Sequence, residues 1–417
     1  MSHDHHNTEA RPITAKARRL TWLLLIPAVL ATAVGMLLLW PGDTPRPNAP
    51  VDGPVKVNGE VRAVTPAACP PTPEGQEQPG EVCGTVTVVL TSGADAGTQV
   101  TAEVPAGPGA IEVSPGDDVV LLVLRNEDGE RGYSINDFQR SRPLWLVGVA
   151  FAVAVIAFGR WRGVSALAGL AVTFAVLLFF IVPAILDGRS PIAVAIVGAA
   201  AIMLTVLYLT HGFTITTTIA VAGTLASLTL TTMLSAVTTA VVHLSGVADE
   251  TANYVSITQA GVNMRGLLLA GIVIGSLGVL DDVTVTQSAT VAELARANPA
   301  YGFRRLYAAA TRIGRAHIAS VINTIVLAYA GASLPLMLLF AADSTPAGEL
   351  LTGELIAQEL VRSAVGTIGL IAAVPITTAL AALVDTHRSV AADNTEPARP
   401  RPPEDPWTAF VERSGRE

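Results

Sequence analysis

The 417-residue chain is 51% hydrophobic and 14% charged, with a mean hydropathy of +0.51, whereas roughly a quarter of an average soluble protein is charged. That composition excludes an ordinary water-soluble protein and marks a membrane one. The formal net charge of -8 sits in one segment, since residues 41–142 hold 7 Lys plus Arg against 15 Asp plus Glu and the rest holds 19 of each; such an acidic segment is no partner for nucleic acid.

In chain order, residues 1–19 are polar and read as a disordered cytoplasmic N-terminus; His3, His5 and His6 in "HDHH" specify no metal geometry there. Residues 20–40, "LTWLLLIPAVLATAVGMLLLW", follow Arg11, Lys16, Arg18 and Arg19 and carry Trp22 and Trp40 near their ends. The run exceeds the apolar core of a signal peptide and reads as a retained transmembrane anchor. A Pro-rich linker, 41–54, leads into alternating runs such as "VKVNGEVRAV", "GTVTVVL" and "DDVVLLVLR". About five short strands separated by Gly and Pro turns predict a small extracytoplasmic β-rich domain over 41–142, either a small barrel, with an OB-like one as a candidate, or a sandwich. Both cysteines, Cys69 and Cys83, fall in it. They form a candidate disulfide, with a reduced pair as the alternative.

Further apolar runs at 143–159, 164–186, 191–210, 213–243, 265–288, 318–340 and 364–384 bring the total to about eight transmembrane helices, since a span needs roughly 20 apolar residues. The fold class is therefore an α-helical polytopic membrane bundle, residues 143–385, with the β-rich domain inserted after the first helix and a disordered tail at 386–417. Arg160, Arg162, Arg296, Arg304, Arg305, Arg312 and Arg315 fall on the same side as the N-terminal basic cluster if there are eight spans, which places both termini in the cytoplasm. The basic stretch 296–317 reads as a surface helix held at anionic headgroups.

The span ending in "GSLGVLDDVTVTQ" is the informative one. Each Asp at the centre of a span costs about 2.5–3.5 kcal/mol, and counting back from residue 288 puts Asp281 and Asp282 roughly 10 Å inside. Gly271, Gly275, Gly278 and Asp282 are spaced 4, 3 and 4, so they share a face on which another helix can approach closely. Asp282 is expected to face protein, with Asp281 on the stripe of Thr284 and Ser288 and with Thr286 one turn after Asp282. Thr217, Thr218, Asn323, Thr377 and Thr378 lie at similar depth in other spans, and Thr217, Thr224, Ser227, Thr231 and Thr238 follow one face of the 213–243 run. Such hydroxyls line a polar pathway or merely bond back to their own helices, and both readings stand.

Residues 261–294, "GVNMRGLLLAGIVIGSLGVLDDVTVTQSATVAEL", resemble the signature of the bacterial YibE/F family of multipass membrane proteins. The anchor, the β-rich segment ending in "YSINDFQRSRPL" and the polytopic bundle repeat that family's plan. The resemblance implies a bacterial plasma-membrane location and singles out Arg265, Gly271, Gly275, Gly278, Asp281, Asp282, Thr286 and Gln287, while bringing no activity with it.

Two functions follow from the residues. One is a transporter or channel-like protein whose ion, proton or solute site comprises Asp281, Asp282, Thr286, Gln287, Asn323 and Thr217, with no cofactor beyond a candidate cation of unspecified identity and with its solute unspecified. The other is an envelope assembly, sensing or scaffold protein acting through the β-rich domain. The chain is not expected to be an enzyme: it has no Walker, HExxH, Ser/His/Asp or Cys/His pattern, and aspartyl proteolysis needs a second carboxylate from another helix. The partners are the bilayer and either a second copy or another membrane protein.

Overall fold

The structure, a computed structural model, describes residues 15–42, 55–67, 83–104, 111–125, 131–259, 261–342 and 347–393. The chain divides into two compact units, Asp43–Gly163 and a second formed by Met1–Gly42 with Val164–Glu417.

In the first unit, strands β1 (Val55–Ala67), β2 (Cys83–Leu90), β3 (Gln99–Glu103), β4 (Asp118–Arg125) and β5 (Arg131–Phe138) close into a barrel of order β1-β2-β3-β5-β4. That is the strand order of an OB-type barrel. Alternation in the sequence builds it: Val57 and Val61 of β1, Val86 and Val88 of β2, and Val119 and Leu121 of β4 point inward and are buried, while their neighbours face out. Strand β1 is long enough to pair with two partners, and its register with β2 shifts between Val61 and Ala63. A bulge of this kind bends a strand around a barrel corner. Closure between β3 and β5 rests on one parallel pair, Glu103 with Ser134. The same unit holds α2 (Ser141–Gly159), none of whose residues is buried. The candidate Cys69–Cys83 bridge lies outside the described residues.

The second unit is helical. It comprises α1 (Ala15–Leu39), α3 (Trp161–Val176, which begins in the first unit), a π-helical turn at Leu177–Ile181, α4 (Val182–Leu186), α5 (Pro191–His211), α6 (Ile215–Val241), α7 (Glu250–Thr258), α8 (Met264–Ala297), α9 (Phe303–Ala332), α10 (Leu334–Ala342), α11 (Ala347–Thr352) and α12 (Glu354–Asp393). Among the described residues, seven helices of the whole chain are long and apolar enough to cross a membrane. The expected span at 20–40 contributes a shorter apolar stretch, Leu25–Leu39. This is a multipass membrane protein by its helices.

Three expected boundaries move, each for a local reason. The aspartate helix runs nine residues past 288, to Ala297, because "SATVAELARA" holds no Gly or Pro to stop it. The basic stretch is not a separate surface helix: its Phe303–His317 part forms the first turns of α9, which continues to Ala332. The expected span 318–340 instead breaks at Ser333, and α10 starts afresh with Pro335 as its second residue, since proline has no N–H to bond to the preceding turn and its ring would clash there if α9 ran through it.

The core of this unit lies where α8 packs against α5, α6, α9 and α12. Glycines set the closest approaches. A Cβ on Gly223 of α6 would collide with Thr377 Oγ1 of α12, one on Gly369 of α12 with Thr231 Oγ1 of α6, and one on Gly314 of α9 would lie 2.7 Å from Gln287 Oε1 of α8. Small residues that admit a neighbouring helix are the usual means of packing in lipid, where helices gain no hydrophobic energy by meeting.

Candidate functional site

Helix α8 is 34 residues long, about 51 Å at 1.5 Å per residue, and Asp281 and Asp282 are its 18th and 19th residues. The acids therefore sit at the helix midpoint, about 23 Å from its Ala297 end. Adjacent residues diverge by about 100°, so the two carboxylates leave the helix in different directions.

Asp282 does not face protein within this chain. It is exposed, as are Gly271, Gly275, Gly278 and Thr286 of the same stripe. Among the described residues, no atom beyond the helix's own neighbouring backbone lies within 4 Å of the Cβ position of Gly271 or Gly278, and Gly275 meets the Tyr329 hydroxyl at 3.9 Å. The spacing correctly predicts a common face, but the helix buries the opposite one. Ile272, Val273, Leu277, Leu280 and Val283 all point to the core, and burying those side chains removes far more apolar surface from solvent than burying glycines does.

Asp281 lies at the border between the two faces and is partly buried. Its Oδ1 is closed off and has no hydrogen-bond partner among the described residues. Thr284 does not reach this carboxylate; its hydroxyl donates to the Asp281 backbone carbonyl at 3.1 Å and lies 2.7 Å from the Thr224 hydroxyl of α6. An ionised carboxylate oxygen can only accept, and one left unmatched when buried is costly.

The other expected site residues are not gathered around the acids. Gln287 turns inward, donating through Nε2 to Ala310 O of α9 at 3.0 Å and to Thr378 Oγ1 of α12 at 2.7 Å. Thr217 is buried, but its Oγ1 lies 2.8 Å from Thr214 Oγ1, and Thr217 N donates to that capping hydroxyl at 3.0 Å. It serves the α6 N-terminus. Asn323 is exposed on α9. The sequence signal was depth for Thr217 and Asn323 and the family motif for Gln287, and neither fixes the direction in which a side chain leaves its helix.

The hydroxyl stripe of α6 is realised. Thr217, Thr224, Ser227, Thr231 and Ser235 are buried, and the last position is Thr239 rather than Thr238. Three of these six hydroxyls bond back one turn: Thr224 to Ala220 O at 3.0 Å, Thr231 to Ser227 O at 2.8 Å and Ser235 to Thr231 O at 2.7 Å. Three fully buried hydroxyls have no partner among the described residues: Ser227 and Thr239 on α6 and Thr377 on α12. An unmet buried donor or acceptor costs about 1–3 kcal/mol, so this seam between α6 and α12 carries polarity that packing alone does not require.

Glu354 was missed as anything but an exterior acid. Its Oε1 accepts from Ser245 N and Ser245 Oγ, both at 2.6 Å, and from Gly246 N at 3.2 Å. It thereby ties the start of α12 to the turn after α6. Only the fold brings residues 245 and 354 together, so no local pattern announces the pairing. Among the described residues, no group of three or more His, Cys, Asp or Glu side chains could hold a metal ion.

Residues 147–387, more than half of the chain, match the family described as YibE/F-like protein. No curated protein and no solved structure matches the chain.

Proposed function

The chain belongs to the YibE/F-like protein family, and from that premise and the geometry of α8 we propose that it is a transporter or channel-like protein. In this reading Asp281 and Asp282 bind a cation or carry protons near mid-membrane. The observation that carries it is the enclosed Oδ1 of Asp281, which has no partner among the described residues, at the midpoint of a helix long and apolar enough to span. Ionisable groups at such depth mark ion and proton paths by default, because lipid exacts a penalty that structure alone has no reason to accept. The unmatched hydroxyls of Ser227, Thr239 and Thr377 supply further acceptors in the neighbouring seam. Their chemistry suits water, protons or a hard cation.

The exposed Asp282 and the open glycine stripe give the partner reading its content. A carboxylate facing hydrocarbon costs about 2.5–3.5 kcal/mol, which a second copy or another membrane protein lying along Gly271, Gly275 and Gly278 removes. The location that fits is a bacterial plasma membrane with both termini in the cytoplasm. Proteoliposomes loaded with a pH-sensitive or cation-sensitive dye test the reading. Asp281→Asn and Asp282→Asn should each depress flux at least tenfold, while unchanged flux in both single variants and their combination would sink it.

A second reading, envelope scaffolding through the barrel, draws on that domain's own closed core. It expects deletion of residues 55–138 to abolish function while the Asp variants lower only protein level.

A further inference from the structure

Four arginines near the start of α9, Arg304, Arg305, Arg312 and Arg315, are exposed and form no ion pair with any described residue. At 100° per residue they fall within an arc of about 100°, so they make one cationic stripe. Beside it opens a crevice of about 560 Å³ between the end of α8 and the start of α9. Its walls are apolar, from Leu294 of α8 and from Ile313 and Ala316 of α9, whereas Arg312, Tyr301 and Asn298 supply its polar groups. Guanidinium, phenol and amide together are donors suited to a phosphate oxygen.

We propose that this crevice binds the headgroup of an anionic phospholipid, with Arg312 on the phosphate, the remaining arginines in attendance and the glycerol and first acyl carbons against Leu294 and Ile313. Charge complementarity favours a phosphate ester, since a stripe of uncompensated guanidinium groups calls for an anion. The apolar walls favour an amphiphile over free phosphate, because a small hydrated anion gains nothing from burying leucine and isoleucine. The position favours lipid again: both helices that frame the crevice are long and apolar enough to cross the membrane, so acyl chains continue from it into the bilayer. The lipid then acts as a strap across the α8–α9 corner, on the helix that carries Asp281 and Asp282. The inference does not depend on the transport reading.

The test uses the full chain, purified in a neutral detergent and incubated with equimolar phosphatidylglycerol and phosphatidylcholine, with retained lipid counted by native mass spectrometry. Wild type should hold one phosphatidylglycerol in preference. Arg312→Gln should lower that preference about fivefold and Arg312→Gln with Arg315→Gln further, on the order of fivefold per arginine. Arg296→Gln, at a residue paired with Glu293, should leave it unchanged. Far-UV circular dichroism melts confirm that the variants remain folded. Equal retention of the two lipids by wild type, or an unchanged preference in the folded double variant, overturns the proposal. So does displacement by millimolar inorganic phosphate, which would identify a soluble anion as the occupant, or a preference that appears only after residues 394–417 are removed, which would assign the arginines to the chain's own tail.

Discussion

Gly369→Ala and Gly278→Ala are the same chemical change in the interiors of two long helices, yet the structure predicts opposite results. Both gain the same intrinsic helix preference, up to about 1 kcal/mol, so that contribution cancels in the comparison. At Gly369 the new methyl collides with Thr231 Oγ1 and lies 3.1 Å from Thr231 Cβ. Thr231 cannot step aside: it is fully buried, β-branched, and donates to Ser227 O at 2.8 Å. Helices α6 and α12 must separate, at an overpacking cost of about 1–3 kcal/mol. At Gly278 no atom of another described helix of the chain lies within 4 Å, so the variant should match or exceed wild type as a monomer in micelles. The assay is unfolding of the full chain in dilute mixed micelles, followed by far-UV circular dichroism against the mole fraction of denaturing detergent. Adding Thr231→Ala to Gly369→Ala should recover about 1–2 kcal/mol as a coupling energy. Equal effects of the two single variants, or a larger loss at Gly278, would refute the assignment of which glycines make contacts.

Gln287→Ala removes two interhelical hydrogen bonds, to Ala310 O and Thr378 Oγ1; at about 0.6 kcal/mol each for bonds within membranes, plus a cavity, a loss of about 1–3 kcal/mol is expected in the same micelle titration. Arg160 joins α2 to α3 at φ 51 and ψ -129, a backbone region suited to glycine, so Arg160→Gly should raise stability by about 1 kcal/mol if the new residue adopts it freely. On the barrel strand β5, Asp137 accepts a side-chain hydrogen bond from Arg140 and one from Phe138 N, which hold its carboxyl below the ordinary value of 3.8. A depressed carboxyl pKa contributes stability that is present above that ordinary value and is lost as pH falls through the folded one. Arg140→Gln should therefore move the Asp137 titration upward, as read by carboxyl-carbon NMR, and an unmoved midpoint would refute the pairing.

The barrel was legible because strand periodicity is local: Val57, Val61, Val86 and Val88 alternate with outward residues in the sequence as they do in the fold. What periodicity could not supply was strand order, which depends on pairings such as Glu103 with Ser134 across the chain. In the helical unit, composition located the spans but not their ends, since polar turns like those after residue 288 prolong a helix without changing its apolar count. The Gly271–Asp282 stripe shows the sharper limit. Spacing fixes which residues share a face, but whether that face meets a neighbour depends on what the opposite face offers, and here Ile272, Leu277 and Leu280 take the core. The glycines that admit helices, Gly223, Gly314 and Gly369, form no stripe as long as that of α8 and make sense only beside Thr377, Gln287 and Thr231. Mid-span carboxylates, by contrast, were readable at once, because an acid inside a long apolar run stands out before anything is known of its neighbours.

Flux through proteoliposomes containing the Asp281→Asn, Asp282→Asn double variant, at protein levels matched to wild type and alongside a chain lacking residues 55–138, tests the central claim most directly. The account predicts that cation or proton movement collapses in the double variant and persists in the barrel deletion. Undiminished flux without the two carboxylates would contradict it.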